Sequence, residues 1–200
     1  MSLLVETIKI NDGKIFNIDY HSSRFNRTRK ELFNAGPGVD LGNKIIIPSY
    51  ARKGLYKCRI EYDENIRKID FLPYEIKKVG SLKLVEAPYL DYRYKYIDRS
   101  AINELLKHKN GCDDILMIKD GMVTDTSYAN IIVRGDEDIW YTPSGFILRG
   151  TKREYLLNHG LIKEADITPA GLKRYLELRL INSMLDIEDT ESIPVSEVSF

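Results

Sequence analysis

Lys95 and Asp125 are the residues of this chain whose types and spacing suggest chemistry most directly. Lys95 lies between two tyrosines in the run 94–99, and Asp125 follows thirty residues later in the run 123–125. An amine paired with a distant carboxylate is what a pyridoxal 5'-phosphate site needs. The amine holds the aldehyde carbon as a Schiff base, and the carboxylate keeps the pyridine nitrogen protonated so that the ring withdraws electrons.

A third element, Leu148-Arg149-Gly150-Thr151-Lys152-Arg153, is a candidate binding site for the cofactor phosphate. Thr151 and Glu154 fit a capping box, with Thr151 as the N-cap of a helix that ends near residues 159–160. A helix N-terminus presents unpaired N–H groups to an anion, and Gly150 lacks the Cβ that would block close approach. Taken alone, this pattern is also that of an ordinary capped helix.

In this order, the elements resemble those of the class IV (fold type IV) pyridoxal phosphate enzymes. That family includes branched-chain and D-amino-acid aminotransferases and aminodeoxychorismate lyase, and the resemblance covers most of the chain. It implies that Lys95 is the Schiff-base lysine and that Asp125 stands where the family usually has glutamate. It also implies that Arg24, in the element His21-Ser22-Ser23-Arg24, grips the cofactor phosphate.

The lyase branch of the family is the one that residues 97–99 and the tail segments 180–183 and 197–200 look most like. We therefore expect a lyase that releases pyruvate from 4-amino-4-deoxychorismate and leaves 4-aminobenzoate. A class IV aminotransferase acting on branched-chain or D-amino acids is one alternative, and a noncatalytic binding module of the same fold is another. The resemblance further implies a small-molecule amino substrate, a homodimer, and a cofactor site formed by Arg24, Lys95, Asp125, Leu148, Gly150, Thr151, Lys152 and Ser183.

Two departures from the family pattern keep the noncatalytic alternative open. Where the family usually has Gly-Ile-Thr-Arg, this chain has Gly150 followed by Thr151, Lys152 and Arg153. The backbone donors survive, but the expected threonine contact is moved by one residue or replaced by the ammonium of Lys152. At Asp125 the charge is kept on a side chain shorter by one carbon–carbon bond, about 1.5 Å.

The resemblance implies an α+β fold with a small α/β lobe at residues 1–80, a larger barrel-like α/β lobe at 81–200 that carries the lysine, and the cofactor between them. The residue pattern alone favours α+β with mostly antiparallel sheet. It predicts helices and strands at the following positions: strands 3–10, 14–18, 55–62, 66–72, 114–119, 122–125, 129–134 and 138–142, and helices 19–34 and 100–109. Residues 77–81 are the expected boundary.

Composition narrows the functional class. The chain has 200 residues, 43% of them hydrophobic, which suffices for one domain or two small lobes. With 30 basic and 30 acidic residues there is no net field to attract nucleic acid. Residues 1–5 have no basic lead-in, and no apolar stretch has the length of a membrane span, so we expect neither nucleic-acid nor membrane binding and a cytoplasmic location.

Each candidate residue also has a plainer interpretation. Lys95 as an isolated lysine is a solvated side chain, and Arg24 belongs to a basic helix whose charged face is solvated. Asp125 caps a turn, and Ser183 ends a strand. Cys58 alternates onto the apolar face of a strand, which predicts a buried, inert thiol.

Overall fold

A computed structural model describes residues 3–135 and 138–200 of the chain. The chain divides into two compact units, each with its own hydrophobic core. The first unit comprises Met1–Glu75 and Tyr94–Asp98, and the second comprises Ile76–Arg93 and Arg99–Phe200. We expected one boundary near residue 80 and Lys95 in the second part, whereas the segment that carries Lys95 belongs to the first unit.

The first unit is built on an antiparallel sheet whose strand order is β2-β1-β3-β4. Its strands are β1 (Leu4–Asn11), β2 (Lys14–Ile15), β3 (Leu55–Tyr62) and β4 (Ile66–Pro73). The hairpin between β1 and β2 turns at Asp12 and Gly13, which both have positive φ, 47° and 75°. That is the backbone of a type I′ turn, and Asp-Gly is one of its preferred pairs.

Helix α1 (Ile18–Phe33) packs on one face of this sheet. Its buried residues His21, Arg24, Phe25 and Thr28 are spaced three or four positions apart, so they lie along one side of the helix. The helix ends at Asn34, which adopts the left-handed conformation at φ 50°. Asparagine is one of the few residue types besides glycine that tolerate this conformation.

Residues 94–97 return to the first unit beside the start of β1, where Tyr96 forms an antiparallel bridge with Leu4. The Val5 N–H donates to the Lys95 carbonyl at 2.9 Å, and the Ile97 N–H donates to the Leu3 carbonyl at 2.9 Å. Because β2 is short, this end of β1 has an open edge that the returning segment occupies. The backbone of Lys95 is therefore fixed by strand-type hydrogen bonds.

The second unit contains two mixed sheets. The first has the order β13-β5-β6-β7 and the second β10-β9-β8-β11-β12. Their strands are β5 (Leu82–Glu86), β6 (Asp114–Lys119), β7 (Met122–Thr126), β8 (Asn130–Arg134), β9 (Trp140–Pro143), β10 (Lys163–Ala165), β11 (Glu177–Ile181), β12 (Ile193–Pro194) and β13 (Val198–Ser199). The helices are α2 (Ser100–Leu106), α3 (Thr151–Asn158) and α4 (Pro169–Leu172).

The α+β class is confirmed, but the sheets of the second unit are less antiparallel than expected. Three pairs are parallel: β5 with β6, β13 with β5, and β10 with β9. Helix α2 is shorter than predicted and buries Ile102 rather than Leu105 and Leu106, which are half-buried. Within residues 3–135 and 138–200, no helix combines the length and hydrophobicity needed to cross a membrane.

Candidate active site

Lys95 lies in a half-buried position on the returning segment of the first unit. Its charge acts on the imidazole of His21, where it helps to lower the pKa. A fixed backbone and a neighbouring imidazole distinguish this lysine from the freely solvated side chain of the plainer interpretation.

His21 and Arg24 on α1 both bind the carboxylate of Glu6 on β1. Arg24 donates from Nε to Oε1 at 2.8 Å and from Nη2 to Oε2 at 2.6 Å. The Nδ1 of His21 lies 2.6 Å from Oε2. Glu6 and His21 are fully buried and Arg24 is 6% exposed, so Arg24 does not belong to a solvated helix face.

The pKa values of this cluster follow from its charges. Burial alone would raise the pKa of Glu6, but Arg24 and His21 more than compensate and hold it at about 2. Burial lowers the pKa of His21, against the opposing effect of the hydrogen bond to Glu6. Near neutral pH the cluster therefore consists of a carboxylate, a guanidinium and a neutral imidazole.

Asp125 lies on β7 of the second unit and is held by three N–H donors. Its Oδ1 accepts from Asn130 Nδ2 at 2.9 Å. Its Oδ2 accepts from the backbone N–H groups of Ile147 at 3.1 Å and Leu148 at 2.9 Å. These three bonds fix the orientation of the carboxylate, and Asp125 is buried. Its role is therefore more than that of a residue that caps a turn, as in the plainer interpretation.

Burial raises the pKa of Asp125 from 3.8 to about 6, against the opposing effect of its hydrogen-bond donors, with Leu148 first among them. All three direct donors are neutral. A carboxylate has about four acceptor positions, so one remains for a further donor. A cationic donor at that position would stabilise the ionised form.

The side-chain amide of Asn130 leaves room only for glycine at position 150. A Cβ built on Gly150 would lie 1.8 Å from Asn130 Oδ1. That amide cannot move aside without cost, because its Nδ2 donates to Asp125 and to the Leu148 carbonyl at 3.1 Å. The sequence indicated a close approach at Gly150, and the group that makes it within the protein is Asn130.

Helix α3 begins at Thr151, as the sequence predicted, but Thr151 is not its N-cap. Gly150 occupies the cap position without a side-chain cap, and Thr151 is the first helical residue and 2% exposed. Glu154 accepts from Arg149 Nη2 at 3.1 Å. The predicted capping box is therefore wrong, since glycine before the helix leaves no hydroxyl to accept the bond.

Lys152 is buried and its ammonium forms an ion pair with Asp186. The same ammonium lies 5.2 Å from the ring centroid of Tyr155. The next residue, Arg153, donates to the Pro143 carbonyl at 2.8 Å and to Glu164 at 2.6 Å. Both cations thus have protein partners.

Ser183, a predicted cofactor-binding residue, lies in a turn just beyond β11, close to the strand end of the plainer interpretation. The Leu185 N–H closes the turn on the Asn182 carbonyl at 3.1 Å. The side chain of Asn182 accepts from Met184 N–H at 2.8 Å and fixes the turn from inside. Ser183 is half-buried at its tip.

The structure therefore places the predicted residues in two groups. Arg24 and Lys95 lie in the first unit, and the remaining candidates lie in the second: Asp125, Leu148, Gly150, Thr151, Lys152 and Ser183. Sequence reasoning missed Glu6, Asn130 and Asp186. Of these, Glu6 had a visible signal, because strand alternation places it on the same face as Leu4 and Ile8.

The prediction for Cys58 is confirmed. Cys58 is fully buried, and burial raises the pKa of its thiol to about 12, so it is unreactive as expected. No group of His, Cys, Asp or Glu suited to a metal ion occurs in the part of the chain that the structure describes.

Comparison with known proteins identifies the family. Residues 3–197 match the family model for amino-transferase class IV. An uncharacterized protein of Haemophilus influenzae is 37% identical over 183 residues, which cover 90% of this chain and 97% of that protein. A crystal structure from Haemophilus somnus 129PT, of a protein proposed to be a 4-amino-4-deoxychorismate lyase, is 36% identical with a TM-score of 0.85, covering 92% of this chain and 97% of that one.

A more distant structure shows the fold alone. It is a hypothetical aminotransferase from Mycobacterium tuberculosis in its pyridoxal phosphate-bound form. It is 17% identical with a TM-score of 0.75, covering 98% of this chain and 81% of that one. From the match over nearly its whole length, the chain belongs to the class IV aminotransferase family.

Proposed function

We propose that this protein is a pyridoxal phosphate-dependent 4-amino-4-deoxychorismate lyase. The observation that carries the cofactor assignment is Asp125, a buried carboxylate held by neutral donors, with its pKa raised to about 6. A protonated pyridine nitrogen is the kind of cationic donor that such a carboxylate would bind. The substrate assignment rests on the lyase-like runs and on the likeness to the Haemophilus somnus protein.

The residues present fit the cofactor by their chemistry. Lys95 supplies an amine, Arg24 a guanidinium for the phosphate, and Asp125 the carboxylate for the ring nitrogen. The first turn of α3, with Gly150 and Thr151, supplies backbone N–H groups that suit a dianion. When bound, pyridoxal phosphate supplies an electron-withdrawing ring in covalent linkage to the substrate amine.

Lys95 acts twice in the proposed reaction. With the cofactor bound, its Nζ would hold the aldehyde carbon until a substrate amine replaces it. The freed amine then removes the proton from the substrate Cα, as a general base. Asp125 would pair in its ionised form with the ring nitrogen of the bound cofactor and would stabilise the charge that develops as the proton leaves.

Loss of the β-substituent completes the lyase reaction. After loss of the Cα proton, the bond between the ring carbon and the enolpyruvyl oxygen breaks and its electron pair leaves with enolpyruvate. Enolpyruvate takes up a proton to become pyruvate, and the ring becomes the aromatic ring of 4-aminobenzoate. Aromatisation drives this step, and no second amino acceptor is required. An aminotransferase, by contrast, needs a keto acid to complete its cycle.

The deciding experiment is incubation of the cofactor-loaded protein with aminodeoxychorismate and no keto acid. The proposal expects stoichiometric pyruvate and 4-aminobenzoate over many turnovers, and none from Lys95→Ala. Amino transfer from branched-chain or D-amino acids that requires a keto acid would establish the aminotransferase alternative instead. A protein that binds the cofactor without either activity would be the noncatalytic module.

A further inference from the structure

Glu6 uses both carboxylate oxygens to fix two side chains of α1. Arg24 binds it through two parallel N–H···O bonds of 2.8 and 2.6 Å, which define the plane of the guanidinium. His21 shares the second oxygen at 2.6 Å. The register of β1 places Glu6 opposite Ile60, in an otherwise apolar core.

The ionised state of Glu6 sets the tautomer of His21. A carboxylate accepts hydrogen bonds and donates none, so the contacting Nδ1 must carry the hydrogen. When the imidazole is neutral, its Nε2 is therefore the basic nitrogen. The other ionisable groups that act on this cluster are Lys95, on His21, and Tyr62, which responds to the charges of Glu6 and Arg24.

Stability alone does not account for such a cluster. A buried ion pair gains little over well-packed apolar residues of similar volume, because desolvation offsets the attraction between the charges. What an ion pair adds is orientation: Arg24 is held in one plane and His21 in one tautomer. Orientation matters for a group that must meet a ligand in a fixed geometry.

We propose that Glu6 is a positioning residue for phosphate recognition: it holds the guanidinium of Arg24 in the orientation that binds the cofactor phosphate and fixes the Nδ1–H tautomer of His21. This inference rests on the proposed function, since it takes Arg24 as the phosphate-binding residue. Its test must therefore separate phosphate recognition from overall folding and from covalent attachment at Lys95.

The test compares the affinities of the protein for pyridoxal 5'-phosphate and for pyridoxal, which lacks the phosphate. Glu6→Gln keeps the size of the side chain but cannot accept all three hydrogen bonds. We expect it to weaken pyridoxal phosphate binding by about tenfold or more, equivalent to about 1.4 kcal/mol, and to leave pyridoxal binding unchanged. Asp63→Asn is the matched control, because Asp63 pairs with Arg67 in the same unit at 2.8 Å, and we expect it to change neither affinity.

Equal losses for both ligands would show a merely structural role and overturn the inference, as would no loss for either. A parent protein that binds neither ligand would instead overturn the proposed function. If Glu6→Gln does not fold, the double variant Glu6→Gln/Arg24→Gln, which leaves no unpaired buried charge, is compared with Arg24→Gln. We expect the ratio of the affinity for pyridoxal 5'-phosphate to the affinity for pyridoxal to be the same in both variants. A lower ratio in the double variant would contradict the inference.

A second measurement is independent of cofactor binding. Nitrogen-15 NMR of His21 in the cofactor-free protein reports which ring nitrogen carries the hydrogen. The inference expects the Nδ1–H tautomer in the parent and a shift towards Nε2–H in Glu6→Gln. An Nε2–H tautomer in the parent would overturn the assignment of His21.

Discussion

Glu6 and Asp125 are both buried carboxylates that accept three hydrogen bonds, yet their pKa values move in opposite directions. Glu6, with Arg24 and His21 as donors, has a pKa of about 2 in spite of its burial. Asp125, with an amide and two backbone N–H groups as donors, has a pKa raised by burial to about 6. The difference lies in the charge of the donors rather than in their number.

This contrast separates two tasks. Glu6 has its countercharge within the protein and can serve to hold Arg24 and His21 in place. Three hydrogen bonds hold Asp125 in place, but none of their donors carries a charge. This arrangement suits a carboxylate whose cationic partner is a group of a ligand. Arg153 lowers the pKa of Asp125 only as the weakest of the opposing effects, so desolvation dominates, as is common in functional carboxyl groups.

The largest expected effect concerns catalysis at Asp125. If Asp125 pairs with the ring nitrogen of the cofactor, as we propose, Asp125→Asn removes that negative charge and should slow removal of the substrate Cα proton by orders of magnitude. Asp125→Glu keeps the charge and should retain part of the activity, although its added methylene costs about 1–3 kcal/mol in a packed site. Rapid-quench measurement of a single turnover of aminodeoxychorismate compares the two. An Asn variant as fast as the parent would remove Asp125 from the mechanism.

The next effect concerns stability at Glu6. Glu6→Gln leaves the buried guanidinium of Arg24 without a countercharge, and we expect it to lower the free energy of unfolding by about 3–5 kcal/mol. Asp125→Asn sets an amide N–H₂ group against an existing donor and should cost about 1–3 kcal/mol. Urea unfolding of the cofactor-free variants measures both. If Glu6→Gln lowered the free energy of unfolding less than Asp125→Asn does, Glu6 would not be the carboxylate that is paired with a buried cation.

The pH dependence of stability should have opposite signs at the two sites. The folded pKa of Asp125 lies above its ordinary 3.8, so its contribution is full below about pH 4 and is lost as the pH rises through about 6. That loss amounts to about 3 kcal/mol at about 1.4 kcal/mol per pH unit. Glu6 contributes above its ordinary 4.5, and its contribution is lost as the pH falls towards 2.

Urea unfolding of the cofactor-free parent and of Asp125→Asn, repeated between about pH 4 and pH 7, tests this sign. The parent should lose stability relative to the variant as the pH rises. Carbon-13 NMR titration of the two carboxyl groups gives their pKa values directly. Parallel stability profiles, or an Asp125 that titrates below its ordinary range, would refute the assigned environment.

The smallest effect concerns cofactor affinity at Arg24. If Arg24 binds the cofactor phosphate, as we propose, Arg24→Ala removes a charge-assisted hydrogen bond and should weaken pyridoxal phosphate binding by about 1.5–3 kcal/mol. Equilibrium dialysis against the cofactor measures it, with Arg67→Ala on β4 as the control. An unchanged dissociation constant would show that Arg24 does not bind the phosphate and only pairs with Glu6.

Much of the fold follows from local pattern. The turns at Asp12-Gly13 and Asp120-Gly121 have the positive φ values that the residue types favour, and β3 has its predicted bounds, Leu55–Tyr62. The pattern could not reveal that residues 94–98 return to the first unit, because that depends on an open edge of β1 created by the shortness of β2. Strand pairing over long separations leaves little trace in local sequence.

The candidate site was predictable in its residue types but not in its partners. Thr151 looked like an N-cap, yet Gly150 takes that position, where the amide of Asn130 leaves no room for a Cβ. Lys152 looked like a phosphate ligand, yet its ammonium pairs with Asp186, a residue thirty-four positions away. Such pairings depend on the folded geometry, which no motif encodes.

The central claim of this account is that Lys95 holds pyridoxal phosphate, and it can be measured directly. The protein is incubated with the cofactor, reduced with borohydride and digested, and the modified peptide is identified by mass spectrometry. We expect a pyridoxyl group on Lys95, its absence in a folded Lys95→Ala variant, and its persistence in Lys57→Arg, a matched change on β3. Modification of another lysine, or none in the parent protein, would contradict the account.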